Sequence, residues 1–265
     1  MAFKGNETYK YNPEKEFKLS RGGVENFIKC KRCFYIDRKL NIKKIGTPPW
    51  RLNTAVDSLL KTEFDAYREK KKPHPYMKET GRNLIPYQHE DLDNWRQNFK
   101  GIRFFDEKLN FTLYGAVDDV WFDIDTEELV VVDYKATSSQ KEITLEDDWK
   151  ISYKRQLEFY QWALRKNNFK VSDVGYFVYC NGIETSDTFE NIMKFDVYIL
   201  DYRGTTGWIE PILKEIKKVL DSDDEDHMYI FHDDDSSKIF TKTSDISGET
   251  DYIKSVHACL FKTGE

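Results

Sequence analysis

Cysteine is scarce, with four in 265 residues: Cys30, Cys33, Cys180 and Cys259. Thiols so few and so scattered cannot staple a chain of this length, so a disulfide framework is excluded. Proline and glycine nowhere gather into a linker, and no internal repeat is present. There is no Gly-rich phosphate loop, which excludes a helicase or ATPase motor within these residues. The five histidines show no ligand spacing. No apolar run approaches the roughly 20 residues of a membrane span, so no membrane partner is expected. The opening MAFKGNETYKYNPEKEFKLS has no apolar h-region, so a secretory leader is not expected and the cytoplasm is the expected compartment.

Charge and aromatic rings are abundant. The net charge of −6 argues against a nucleic-acid partner, but its distribution argues the other way. Residues 1–110 carry 24 Lys+Arg against 15 Asp+Glu, and residues 111–265 carry 17 against 32. A basic front half can supply an electrostatic footprint for phosphates even in an acidic protein, although two solvated faces of opposite sign account for the charges equally well. The acidic runs DSDDEDH (221–227) and HDDDSS (232–237) read as a solvated tail without function.

Residues 1–20 are polar and read as a flexible N-terminal segment. The stretch 22–39 reads as one helix, and the prolines of GTPPW (46–50) stop any helix there. Leu52, Ala55, Val56, Leu59, Leu60, Phe64 and Tyr67 recur at helical spacing and predict an amphipathic helix over about 52–70. A short helix is expected near 91–99, strands over 111–122 and 128–135, and a helix over 151–167. Strands over 173–180 and 193–200 and a helix over 208–220 complete the order. A hairpin followed by a helical crossover to another strand gives a mixed sheet flanked by helices, of α/β or α+β class.

Acid-x-Lys occurs seven times and by itself means little. Only Asp133-Tyr134-Lys135 ends a long apolar strand, and its Asp and Lys share one face. Just upstream, Asp118 and Asp119 interrupt the apolar YGAVDDVWF, so a hairpin would bring an aspartate to Asp133 and Lys135. Two carboxylates in a partly dry site raise each other's pKa, and a hard divalent cation, Mg²⁺ or Mn²⁺, relieves that. A structural ion pair capping a strand is the plain alternative. Asp119, on the opposite face from Asp118, reads as outward-facing or salt-bridged.

Gly-x-Val-Asp-x-Val, then Asp-x-Lys fifteen residues on, then QLEFYQWAL (156–164) resembles the PD-(D/E)XK nuclease superfamily. Within it the sequence looks like the RecB-like branch, which includes CRISPR-associated exonucleases, on Gln156-x-x-x-Tyr160 and on LSRGGVENFIKCKRCFYID as its N-terminal helix. The resemblance covers roughly residues 20–200 and implies a restriction-endonuclease-like core. It divides the chain into a flexible 1–20, a nuclease domain over 21–220 with a helical N-terminal part, and an acidic extension over 221–265.

The resemblance further implies that Asp118, Asp133 and the Tyr134 backbone carbonyl bind Mg²⁺ or Mn²⁺. Lys135 would position or deprotonate the attacking water, with Gln156 and Tyr160 orienting the substrate or the groups behind the metal. Where RecB-like enzymes carry a histidine on the helix before the hairpin, this chain has Asp57, which can still bind a hard cation. Glu63 is the other candidate, since it falls near the middle of the apolar stripe while Asp57 lies at its edge. Both remain open as the further metal ligand. The iron–sulfur cluster of some relatives needs one cysteine before the core and three after it, which Cys30, Cys33, Cys180 and Cys259 do not match, so none is expected.

The implied partner is DNA, single-stranded or with free ends. Basic helices at 21–44 and 61–82 would hold the backbone, and Trp50, Tyr67 or Tyr76 would stack on bases. A separate helicase or a CRISPR or repair component is a further implied partner. The competing readings are a catalytically inactive DNA-binding module that keeps the fold, and a hydrolase of another phosphodiester.

Overall fold

The computed structural model describes residues 3–4, 9–43, 51–184, 188 and 191–222. These fall into two units: the described parts of Met1–Thr47, Phe105–Leu113 and Gly207–Glu265, and those of Pro48–Phe104 and Tyr114–Thr206. The acidic tail beyond residue 222, with Cys259, lies outside the described residues, as does Trp50.

The first unit contains β1 (Phe3–Lys4), β2 (Phe17–Ser20), α1 (Arg21–Lys29), α2 (Lys31–Arg38), β3 (Ile42–Lys43) and, late in the chain, α6 (Ile209–Asp221). Within the segment 1–20, Phe17–Ser20 form β2. Phe17 and Leu19 alternate into the core at 2% and 0% exposure, and the buried Tyr11 ring packs edge-on against Phe17. Alternate residues of a strand point to one face, so Phe17 and Leu19 enter the core together. The helix expected over 22–39 is two helices, broken where Cys30 turns extended. Cys30 Sγ accepts the Cys33 N–H at 3.1 Å, so one thing the Cys-x-x-Cys spacing does is start α2.

The chain then runs through α3 (Arg51–Glu69), β4 (Leu84–Pro86), α4 (Leu92–Trp95), β5 (Ile102–Asp106) and β6 (Phe111–Gly115). It continues with β7 (Asp119–Asp123), β8 (Glu128–Thr137), α5 (Ile151–Lys166), β9 (Val174–Ile183) and β10 (Lys194–Arg203). The single strand expected over 111–122 is two strands. β6 belongs to a three-stranded sheet, β2-β6-β5, and β7 to a five-stranded one, β10-β9-β8-β7-β4. The break falls at 116–118 and takes Asp118 out of both ladders.

In the five-stranded sheet only β8 and β9 are parallel, and α5 is the crossover that parallel neighbours require. The fold is a mixed sheet flanked by helices, the expected α/β (α+β) class. The β-branched run of β8 forms the buried centre: Val130, Val132 and Tyr134 join Leu60 and Phe64 of α3, with Trp121 and Val178, in one core. On the other face α5 lies close because residue 175 is glycine. A Cβ there would stand 2.7 Å from the Val131 carbonyl oxygen and 2.8 Å from Leu157 Cδ2.

The stripe of α3 is rotated from its expected position. Leu52 and Leu59 are 58% and 69% exposed, and the buried line is Leu60, Phe64 and Arg68. At 100° per residue this turns Asp57 inward and Glu63 out towards solvent, the reverse of the sequence reading. The stripe that centres on Glu63 counts Leu59 as buried.

Candidate active site

β8 outruns β7. Their last paired residues are Asp119 and Val132, so from Asp133 onward β8 has a strand neighbour only in β9. On the freed edge Asp118 Oδ2 accepts the Tyr134 N–H at 2.9 Å, and Asn53 Nδ2 of α3 donates to the Ala136 carbonyl at 3.3 Å. Asp118 therefore takes the place of the missing ladder rung. A strand residue's carbonyl points to the same edge as its N–H, so the Tyr134 carbonyl faces this side too.

Asp133 and Lys135 point to the α5 face and form an ion pair, Asp133 at 0% exposure. Gln156 Nε2 donates to Asp133 Oδ1 at 2.7 Å, which fixes the carboxylate from α5. Asp118 lies close enough to Asp133 to raise its carboxyl. From α3, Lys61 Nζ lies 2.8 Å from Asp57 Oδ2 and 3.6 Å from Asp118 Oδ1. Lys135 Nζ also lies 4.6 Å from the Tyr153 ring centre. Three carboxylates and two ammonium groups thus converge at the end of β8.

Burial pushes the Asp133 carboxyl up to about 7; Lys135 opposes the rise and Asp118 adds to it. Asp57 is raised as well, by burial and by Asp118, against the pull of Lys61. Burial lowers the Lys135 pKa, but Asp133 and Asp118 outweigh it and hold the ammonium above its ordinary value. The cluster carries more negative charge than its dry surroundings favour, which is what a hard cation relieves.

The donors fit such an ion in kind. All are oxygens, and Asp57 Oδ1 is buried without a hydrogen-bond partner. Among the described residues no group of three or more His, Cys, Asp or Glu is spaced as a ready metal cage. Mg²⁺ sites commonly use one or two carboxylates and keep several waters, and Asp118 with Asp133 offers that number.

A family model for the PD-(D/E)XK nuclease superfamily matches residues 46–227. The chain belongs to the PD-(D/E)XK nuclease superfamily. No curated protein matches it. The fold is accordingly nuclease-type and restriction-endonuclease-like; the family implies a nucleic-acid substrate, and its members generally use divalent metals such as Mg²⁺ or Mn²⁺. Among the described residues no helix is long and apolar enough to cross a membrane.

Of the residues singled out in this PD-(D/E)XK chain, the fold brings together Asp57, Asp118, Asp133, Lys135 and Gln156. Glu63 is left out of that group. Its side chain is 51% exposed and accepts from His74 Nε2 at 2.9 Å, the tautomer being set because His74 Nδ1 accepts the Tyr76 N–H at 3.2 Å. Tyr67 and Tyr76 pack on the same histidine, with ring centres 4.6 and 4.7 Å away. Tyr160, one turn beyond Gln156, is 3% exposed with its ring edge-on to Phe159, too covered to meet a substrate directly. Cys180 is a core residue of β9, its thiol pushed up to about 11 by burial and Glu63.

Asp119 does not face outward. It is fully buried and accepts from Arg68, from Arg96 Nη2 at 2.7 Å, from the Tyr134 hydroxyl at 2.7 Å and from the Val120 N–H at 2.8 Å. The adjacent aspartates divide the work: Asp118 turns to the cluster, and Asp119 anchors the strand start and the Tyr134 side chain behind it.

Sequence reading missed Lys61, Tyr153, Arg68 and Arg96. Lys61 stands four residues after Asp57 and Tyr153 three before Gln156, so helical spacing could have placed both on the right faces. Nothing local marks Arg96, which reaches Asp119 from beyond a four-residue helix.

Proposed function

We propose that the protein is a divalent-metal-dependent nuclease of the RecB-like branch, hydrolysing DNA phosphodiester bonds. The observation that carries this reading is the convergence of Asp118, Asp133, Lys135 and Gln156 at the end of β8. These residues come from three separate stretches of the chain, and a strand-capping ion pair needs only two of them.

Asp118, Asp133 and the Tyr134 carbonyl would hold the metal, with Asp57 as a further oxygen donor. A bound Mg²⁺ or Mn²⁺ supplies a more acidic water and a polarised phosphate. Lys135, kept cationic between Asp133 and Asp118, acts as a donor to the attacking water or to a phosphate oxygen; a protonated amine cannot serve as the base. Gln156 holds Asp133 in one rotamer. Contacts of this kind read the backbone and carry little sequence information, so action depends on strand structure or ends.

One observation favours a second reading, a non-catalytic DNA-binding module. Lys61 stands between Asp57 and Asp118, where its ammonium neutralises the carboxylates without a metal.

The deciding experiment is cleavage of end-labelled linear and closed circular single-stranded DNA in Mn²⁺, Mg²⁺ or EDTA, with wild type and Lys135→Ala. Metal-dependent cutting that the variant loses supports the nuclease, and attack on circles marks endonuclease action. Wild type that binds DNA with metal present yet cuts nothing leaves the binding module.

A further inference from the structure

Trp149 lies in the 3-10 turn Asp148–Lys150 at the start of α5 and is 60% exposed. The turn beneath it is firmly held. Its neighbour Lys150 is 5% exposed, with Nζ 2.5 Å from the Thr144 carbonyl oxygen and 2.8 Å from Asp147 Oδ2. The same Nζ sits 5.2 Å from the Trp149 ring centre and 5.6 Å from that of Tyr179, the residue paired with Lys135 in the β8–β9 register. A buried lysine thus fastens an exposed tryptophan to the strand beside the carboxylate cluster.

The ring also connects to the cluster directly. Trp149 meets Tyr153 edge-on with centroids 5.4 Å apart, and Lys135 Nζ stands 4.6 Å from the Tyr153 ring centre. A single ring therefore separates the exposed indole from the ammonium. A solvent-facing aromatic one ring away from a cation has the two parts of a single-strand contact, a stacking platform and a phosphate partner.

We propose that Trp149 stacks an unpaired base of the DNA strand whose phosphate lies at Lys135, and thereby directs the enzyme to single-stranded or frayed DNA. This rests on the nuclease reading above. Inside a duplex both faces of a base are covered by its neighbours, so an internal base must leave the stack to reach such a platform, whereas an unpaired one is already available. The contact is tolerant of sequence because every base has a π-face.

The test compares binding of labelled oligothymidylate and of a blunt duplex of equal length, in EDTA, by wild type, Trp149→Ala and Trp149→Phe. Truncating a ring this exposed removes no core packing, and the phenylalanine variant keeps a stacking face. Trp149→Ala should bind the single strand roughly fivefold to a hundredfold more weakly, with a matching fall in the single-strand to duplex affinity ratio and substantial rescue by phenylalanine. Single-strand affinity within twofold of wild type, or equal losses on both substrates, overturns the platform. If wild type still cuts DNA in Mn²⁺, that result leaves the nuclease reading standing. Wild type that neither binds nor cuts single strands removes both.

Discussion

Asp118 Oδ2 accepts the Tyr134 N–H at 2.9 Å and so binds the chain just before β7 to the part of β8 that β7 does not reach. The carboxylate therefore has a structural acceptor role and a charge, and the two can be separated. Asp118→Asn keeps an oxygen for the N–H but removes the charge. It should lower metal-dependent cleavage about a hundredfold or more while barely shifting the melting temperature. Asp118→Ala should lose activity to the same degree and stability by about 1 kcal/mol in addition. Cleavage by Asp118→Asn within a few-fold of wild type would remove Asp118 from the proposed metal site.

Gln156 is the donor that α5 extends to the buried Asp133, at 2.7 Å. Gln156→Leu fills the space without donating, leaving Asp133 Oδ1 short of a partner. Groups that orient a metal ligand are worth roughly 10–100-fold in metal affinity or activity, and a loss of that size is expected here. Raising Mn²⁺ should recover part of it, because the defect lies in holding the ligand. Isothermal titration with Mn²⁺ is the direct measurement, and unchanged affinity would assign Gln156 to packing alone.

What the sequence disclosed was what short-range pattern controls. Leu129–Val132 read as a buried strand, and Asp133 and Lys135 fell on one face because strand period is two. The hairpin promised only an aspartate near Asp133, and the resemblance singled out Asp118. The break between β6 and β7 stayed hidden, since the apolar run from Phe111 to Phe122 has no turn residue stronger than Gly115. Glu63 was placed by a stripe through Val56, Leu59, Leu60 and Tyr67, of which Leu59 is solvent-exposed. Arg96 depends on tertiary proximity, which no local period records.

Arg68 is 3% exposed in a helix otherwise buried through leucine and phenylalanine, and its guanidinium meets the fully buried Asp119 and donates Nε–H to the Tyr87 carbonyl at 2.7 Å. Removing one partner of a buried ion pair leaves a charge uncompensated. Arg68→Met should therefore destabilise the protein by about 3 kcal/mol, with Arg96 still neutralising part of Asp119. Adding Asp119→Leu to that variant should cost less than the two single changes together. Urea unfolding of the four proteins gives the coupling, and additive effects would show that Arg68 and Asp119 do not act as a pair.

Asp123, at the end of β7, supplies a pH-dependent test of stability away from the cluster. Its Oδ1 accepts the N–H groups of Asp125 at 2.9 Å and Thr126 at 3.1 Å, and its Oδ2 takes Arg82 Nε at 2.7 Å. Burial would push this carboxyl up, but the two N–H groups and Arg82 outweigh it and hold the pKa below its ordinary value. The unfolded chain then binds the proton more readily than the folded one. The contribution is present above the unfolded value of about 3.9 and is lost as pH falls through the folded value. Asp123→Asn should be less stable than wild type by about 1–3 kcal/mol near neutral pH, because charge-assisted hydrogen bonds become neutral ones. The gap should close as pH falls below about 4, where the wild-type carboxylate takes up its proton. Urea midpoints of both proteins from neutral pH down to about pH 3 measure it, and a gap that stays constant over that range would mean that the charge on Asp123 contributes nothing to the fold.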